Sequence, residues 1–531
     1  MTVDFLARLQ FAFTISFHYF FPPMSIGLSV ILVLMESMWL KTRNPLYHNM
    51  ARFWTRIFAL SFAIGVPTGI VMEFEFGTNW ATYSRFVGDV FGSPLAAEGI
   101  FAFFLESGFL AVLLFGWDRV SPGVHFFSTC MVSLGSHFSA IWIVVANSWM
   151  QTPAAYHLVR QATKPDGTLA VQPDGTLLET PLPPDYVYMP GDHVRAVVDS
   201  FWGMVFNPSS MERLCHVVLA AWLTGAFVVL SISAYYLVRR RHTEFAHASM
   251  KVALSFACVT AILQMLSGDT TARGVAINQP LKLAAMEGLP DSRAQAPLGI
   301  IGFSQWVRNA QGQIVGVKTT DLNMPAMLSI LVSGDFLHPI TASQTVVTGL
   351  NQLPSDEFIL LRHPGATPAQ MPALRAQYWP NVPLLYQTYH VMVGVGVLIV
   401  VLAAAGAFLW WRGLLWKVEN PLTRAYLWIM VPSVLLPQIC NQAGWYTAEF
   451  GRQPWIVYNL LKTSESYSKS VKADEILISI VGFGLVYAML FVLFIYLLNA
   501  KIHHGPTAME QSSALPKKWD LAGSRGHIAD A

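Results

Sequence analysis

LQFAFTISFHYFFPPMSIGLSVILVLM, residues 9–35, runs for 27 residues without one Asp, Glu, Lys or Arg. A transmembrane helix needs about 20 consecutive apolar residues, so this stretch is long enough to cross a bilayer. It is too long for a signal peptide and lacks a small-residue cleavage site. It reads as a retained span.

Similar charge-free runs cover 57–72, 120–150, 214–238, 252–268, 376–411, 425–448 and 476–500, and 94–117 is apolar apart from Glu98 and Glu106. Nine spans are predicted, making the fold class an all-α polytopic membrane protein. Charged residues are 12% of the chain, about half the share in soluble domains, as such a class requires. Lys41, Arg43 and Arg52 follow the first run, Arg239, Arg240, Arg241 and Lys251 the fifth, Arg412, Lys417 and Arg424 the seventh, and Lys501, Lys517 and Lys518 the ninth. The other loops are mixed or acidic (Asp166, Asp174, Glu179, Asp185, Asp192). Basic loops mark the inner side, which puts the N-terminus outside and the C-terminus inside. The chain divides into 1–268 (six spans and an outer loop at 151–213), an outer connection at 269–383, three spans in 384–500, and an inner tail at 501–531.

A net charge of +2 gives no reason to expect nucleic acid. Cys130, Cys215, Cys258 and Cys440 form no CxxC pair, which argues against a disulfide framework or a zinc or iron–sulfur site. The loop 151–213 holds a duplication, KPDGTL at 164–169 and QPDGTL at 172–177; Pro-Asp-Gly is turn chemistry and predicts a small hairpin. No structure is assigned to the Pro- and Gln-rich stretch after residue 287. The tail from Gly505 reads as polar and mobile.

Candidate metal ligands in or beside the spans are His18, His137, His216, His390 and Met392. Singly, each His also suits a core position satisfied by a carbonyl, and a Met a packing role. Jointly they put a His and a Met at similar depth on different helices, the axial pair of a low-spin haem. Glu98 and Glu106 stand ~12 Å apart along an α-helix and roughly 80° apart around it. Buried carboxylates are expensive in hydrocarbon, so they are candidates for a proton relay, a metal ligand or a transporter's substrate site. Glu36, Glu73 and Glu75 fall near enough to helix ends to be solvated. Lys282 and Glu287, five apart in a loop, read as ordinary surface charges. GWYTAEFGRQPW, 444–455, sets Trp445, Glu449 and Arg452 at the membrane boundary.

Seven segments carry a family resemblance: RLQFAFTISFHYFF (8–21), MEFEFGTNW (72–80), GDVFGSPLAAEGIFAFFLES (88–107), GWDR (116–119), SAIWIVVANSWMQ (139–151), KLAAMEG (282–288) and GWYTAEFGRQPW (444–455). Together, in this order, they resemble subunit I of the cytochrome bd-type quinol oxidases. That resemblance implies a haem-bearing quinol:O2 oxidoreductase in a bacterial cytoplasmic membrane, with low-spin haem b, high-spin haem b and haem d. It implies a second subunit, a small single-span subunit, quinol and O2 as partners. His216 and Met392 would be the low-spin axial pair. His18 and Glu449 would ligate the two haems of the oxygen-reducing centre, in an order left open, with Glu98 beside them, Glu106 on a proton route and Trp445 among the haems. Arg8 and Arg452 would meet propionates, and Lys282 and Glu287 would serve quinol binding and oxidation. The chain departs from the family at His390, where members carry Arg, at Asn441-Gln442, where a Glu often occurs, and in the 164–177 turn repeat. Two other classes are weighed. A secondary transporter using Glu98 and Glu106 would be colourless, and nothing here resembles paired broken helices. A haem relay that does not reduce oxygen would have no use for His18, Glu98 and Glu449.

Overall fold

The computed structural model describes residues 2–506 apart from 165–167, 173, 175, 184–185 and 188–192. Asp166, Asp185, Asp192, most of the two Pro-Asp-Gly tips, and the tail after Pro506 with Lys517 and Lys518 lie outside the described residues.

The 9–35 run is helical but interrupted. α1 (Val3–His18) ends at a turn over Tyr19–Phe21, and α2 (Pro22–Thr42) restarts on two prolines. Proline fits the first helical turn, where its missing N–H is not needed, so the chain can break after His18 and resume at once. α3 (Pro45–Thr78) starts on an Asn44 cap with Pro45 at its first position. α4 (Ala81–Ala97), a π-helical segment (Glu98–Phe103) and α5 (Phe104–Phe115) form one continuous rod, and α6 (Pro122–Gln151) begins on a Ser121 cap.

The 151–213 connection adds a small sheet to the predominantly helical chain. β1 (Tyr156–Gln161), β2 (Glu179–Pro181) and β3 (Val194–Val198) make an antiparallel sheet in the order β2-β1-β3. Each half of the sequence duplication closes on itself, Thr163 bridging Leu169 and Val171 bridging Leu177. α7 (Phe201–Val205) leads into α8 (Ser210–Val238), α9 (Thr243–Asn278) and α10 (Pro280–Met286). The second outer connection is a long antiparallel hairpin, β4 (Leu298–Arg308) and β5 (Ile314–Met324), followed by short helices α11 (Met327–Ser333), α12 (Pro339–Ala342), α13 (Asp356–Arg362) and α14 (Met371–Ala376).

α15 (Val382–Trp411) is the next long helix. The 425–448 run is not one helix. α16 (Pro421–Met430) and α17 (Leu435–Phe450) are joined by a 3-10 turn at Pro432–Val434, because Pro432 supplies no N–H to continue the ladder. A short ribbon, β6 (Trp455–Val457) with β7 (Leu461–Lys462), precedes α18 (Ala473–His504). Among the described residues eight helical stretches are long and apolar enough to cross a membrane, with α1 and α2 counted as one and α16–α17 not among them.

One end of the helical bundle is held by a buried aromatic cluster from the turn before α2 and from α3, α8 and α9 (Phe21, Phe53, Trp54, Phe58, Phe227, Phe245). Gly27 on α2 and Gly225 on α8 face one another so closely that a Cβ on either would collide with the other's backbone; small residues allow such close approach within membranes. A second cluster, Trp80, Tyr83, Phe86, Phe91 and Trp149, is capped by the β1–β3 sheet.

Candidate functional site

The break after α1 leaves His18 at a helix end, its Nδ1 2.9 Å from Thr68 Oγ1 of α3. Thr68 in turn donates to the Gly65 carbonyl at 2.8 Å. A Cβ on Gly69 would stand 3.1 Å from the His18 ring, so glycine leaves the imidazole its space. With Nδ1 engaged, Nε2 is the ring nitrogen left for a ligand bond, the usual arrangement of a metal-binding His. One turn earlier on α1, the Thr14 hydroxyl donates to Glu75 Oε1 at 2.6 Å. Glu75 is 3% exposed and Glu36 only 1%. Both were expected to be solvated. The helices run past the apolar stretches that suggested their ends, so neighbouring helices cover these acids.

Glu98 and Glu106 are not on a regular α-helix. The π segment starts at Glu98, and π-type bulges recur at functional sites. Its i→i+5 winding turns less per residue, replacing the expected 80° offset with a shared face toward α6. Ser139 donates to Glu98 Oε1 at 2.5 Å, and Ser136 donates to Glu106 Oε1. Gly135 makes the approach feasible, since a Cβ there would lie 2.9 Å from Glu106 Cβ.

On α17, Glu449 forms an ion pair with Arg452, their side chains 13% and 4% exposed. Asn147 Nδ2 of α6 donates to Glu449 Oε1 at 2.9 Å, and Arg213 of α8 donates to Asn147 Oδ1 at 2.6 Å. Arg452 Nε and Nη1 and Arg213 Nε lack a hydrogen-bond partner among the described residues. Buried donors of this kind normally find an acceptor. Arg8 sits at the rim, donating to Gln453 at 3.3 Å, and the Trp445 ring lies 5.5 Å from Tyr446.

Met392 faces α17, where a Cβ on Gly444 would come within 3.0 Å of its sulfur. His390, 200° round the same helix, turns the other way. Its Nδ1 is 2.8 Å from the Tyr386 carbonyl, and its ring stacks on Tyr386. Its Nε2 looks toward Gly299 of β4, so His390 and Met392 serve different neighbours. Both ring nitrogens of His216 lie 3.2 Å from Gln264 Nε2 of α9. His137 is used up structurally, by the Ser133 carbonyl at 2.7 Å and by Trp222 Nε1 at 2.9 Å. Among the described residues no group of three His, Cys, Asp or Glu converges.

Lys282 and Glu287 are not surface charges. They are 3% and 5% exposed, because α10 folds back under the outer hairpin instead of leading into solvent. Lys282 Nζ donates to Gln151 Oε1 (2.9 Å), Gln279 Oε1 (3.3 Å) and the Ala448 carbonyl (2.9 Å), so it ties the outer connection to the residue before Glu449. Burial, then the nearby Arg213 charge, hold its pKa well below the ordinary lysine value against the pull of Glu449. Glu287 points the other way, toward Tyr389 and the Gly299 N–H, and neither carboxylate oxygen has a well-formed hydrogen bond among the described residues. Burial pushes its pKa up to about 7, and those two donors only partly offset it. A carboxyl raised this far is protonated in acid and becomes a base as pH passes about 7. Any step that hands a proton to Glu287 is therefore expected to accelerate as pH rises through about 7, and Glu287→Gln to abolish that limb; pH–rate profiles of both proteins check it.

A family profile for cytochrome bd terminal oxidase subunit I matches residues 6–506. The chain belongs to that family. It is 34% identical over 501 residues to cytochrome bd ubiquinol oxidase subunit 1 of Bacillus subtilis (strain 168), covering 94% of this chain and 93% of that one. It is 31% identical over 543 residues to cytochrome bd-II ubiquinol oxidase subunit 1 of Escherichia coli (strain K12), covering 95% and 97%. Its fold is similar to the bd oxidase structure from Geobacillus thermodenitrificans, with TM-score 0.74, 26% identity, and coverage of 95% of this chain and 99% of that one.

As a cytochrome bd terminal oxidase subunit I the chain is an integral membrane, haem-bearing enzyme subunit. Beside Glu449 and Lys282 the oxidase subunit holds three residues that the sequence alone does not single out. Asn147 and Gln151 fall within the quoted SAIWIVVANSWMQ segment, one helical turn apart in an apolar run, and that spacing was the available signal. Arg213 stands just before the 214–238 apolar run, and nothing in its local sequence marks it out.

Proposed function

We propose that this chain is the catalytic subunit of a quinol:O2 oxidoreductase that oxidises quinol at the outer face and reduces oxygen to water with protons drawn from inside. The orphaned guanidinium donors around the buried Glu449 carry this reading. A charged pocket with unspent N–H groups fits a carboxylate-bearing macrocycle. The residues present fit such groups. His216 and Met392 are proposed to hold low-spin haem b, and His18 and Glu449 the high-spin haem b and haem d, with Arg452 and Arg8 toward their propionates and Trp445 between them. When bound, the haems supply the electron path and the site of oxygen reduction.

The chain's own residues do the rest. Glu287 accepts a proton released by quinol, and Lys282 holds the outer connection against α17 through its hydrogen bonds to Gln151, Gln279 and the Ala448 carbonyl. Glu98 and Glu106, presented to one face of α6, hold protons bound for the oxygen-reducing centre. With the N-terminus outside, His18, Glu98 and Glu449 lie in the outer half, so protons from inside cross most of the bilayer. Each charge moved stores about 2.3 kcal/mol per 100 mV, and the enzyme builds a potential without a pumping step. A second subunit and a small single-span subunit in a bacterial cytoplasmic membrane complete it. The exposed apolar face of α18 (Ile478, Leu485, Met489, Val492) suits lipid or those partners.

A reduced-minus-oxidised spectrum with haem extraction is expected to show two b-type haems and a chlorin. Proteoliposomes should develop a potential, inside negative relative to the quinol side, as quinol is oxidised. One b haem without chlorin, or oxidation without charge movement, would overturn the proposal.

A further inference from the structure

We propose that Glu36, His125 and Thr129 form the inner intake of a proton path that climbs α6 to Glu106. The inference rests on the reading that protons reach the centre from inside, and adds to it where they are collected.

Glu36 on α2 and His125 on α6 are each 1% exposed. Nδ1 of His125 lies 2.6 Å from Glu36 Oε1, Thr129 Oγ1 donates to Glu36 Oε2 at 2.6 Å, and His125 Nε2 is 3.2 Å from the Leu113 carbonyl. A buried acid and imidazole joined this way are costly in an inner core otherwise built from aromatic and aliphatic side chains. They also lie close to solvent. The His125 ring is 3.8 Å from that of Trp117, which is 5.1 Å from the ring of the half-buried His48. Arg52 and Asp118 pair at 3.4 Å on the exposed rim. Cys130 is the remaining titratable neighbour of Glu36 on α6.

From this cluster a single polar stripe continues outward. Hydroxyls at 129, 133, 136 and 139 recur every three or four residues, so they share one face of α6 at rises of roughly 4.5–6 Å. Ser133 is braced by Ser29 of α2 at 3.0 Å, Ser136 reaches Glu106, and Ser139 reaches Glu98. The steps are within the span of a side-chain rotation or one bridging water. A proton taken up by the Glu36–His125 pair passes to the Thr129 hydroxyl, which releases its own proton outward. Each later hydroxyl does the same and ends neutral. The net change is one proton moved from the inner phase to the Glu106 carboxylate.

The test uses the complete oxidase in proteoliposomes. Glu36→Gln keeps volume and removes the titratable group. It is expected to slow oxygen reduction and the accompanying charge movement by at least about tenfold, with haem content and spectrum unchanged and Glu36→Asp restoring most of the rate. Thr129→Val, close to isosteric, should slow both in the same sense. Wild-type turnover and charge movement in Glu36→Gln and Thr129→Val, alongside a slow Glu106→Gln, would overturn the intake and leave uptake from inside standing. A Glu106→Gln enzyme that is also unaffected would remove the underlying reading. Loss of haem from Glu36→Gln together with a wild-type Thr129→Val would mark the cluster as a pin between α2 and α6, and the proposal would fail.

Discussion

His216→Ala is expected to remove one b-type band from the reduced-minus-oxidised spectrum and to drop quinol-driven oxygen consumption to background. The imidazole has only the Gln264 amide before it, 3.2 Å from both ring nitrogens, so no other described side chain takes over its role. Met392→Leu should have the same spectral effect with little change in packing, since Leu and Met are close in volume and Gly444 leaves room for either. Gln264→Leu should be milder, in the roughly 10–100-fold range that loss of an outer-shell partner costs. His390→Ala separates the two histidine roles. Because its ring stacks on Tyr386 and faces β4, the band should persist. A retained low-spin band in His216→Ala, or its loss in His390→Ala, would refute the assignment of the axial pair.

The spans were legible because hydrocarbon imposes a long, charge-poor composition that irregular structure cannot satisfy. What composition cannot carry is local winding. A π segment at Glu98–Phe103 has the same apolar residues as an α-helix, so the shared face of Glu98 and Glu106 was invisible. Pro432 was visible, but a proline inside a membrane run reads equally as a kink or a break. The outer hairpin was legible in principle. GIIGFSQWV and IVGVKTT flank an Asn-Ala-Gln-Gly turn and are rich in residues that suit strands, yet they were hidden in a connection too long to parse. Burial of Glu36, Glu75, Lys282 and Glu287 was the largest miss, and the reason is common to all four. Each is a charge close to a helix end, and whether such a charge meets water or a neighbouring helix is decided by tertiary packing, which local sequence does not encode.

The same uncertainty applied to Glu449 and Arg452, and there the structure permits a quantitative expectation. Arg452→Leu is expected to destabilise the protein by about 3–5 kcal/mol, because it strands a buried carboxylate whose partner is gone. Asn147 remains on Oε1, but one neutral amide does not replace a guanidinium. The double variant Glu449→Gln with Arg452→Leu removes both charges, and neutral replacements of a buried pair are often no worse than the pair itself. It should therefore be more stable than Arg452→Leu alone while having lost a proposed haem ligand. Stability and function thus move in opposite directions along this cycle. Thermal melts of the two single variants and the double variant measure the first, and haem content the second. Strictly additive destabilisation would mean that Glu449 and Arg452 do not depend on each other, and the buried ion pair would then not be the interaction that Arg452→Leu breaks.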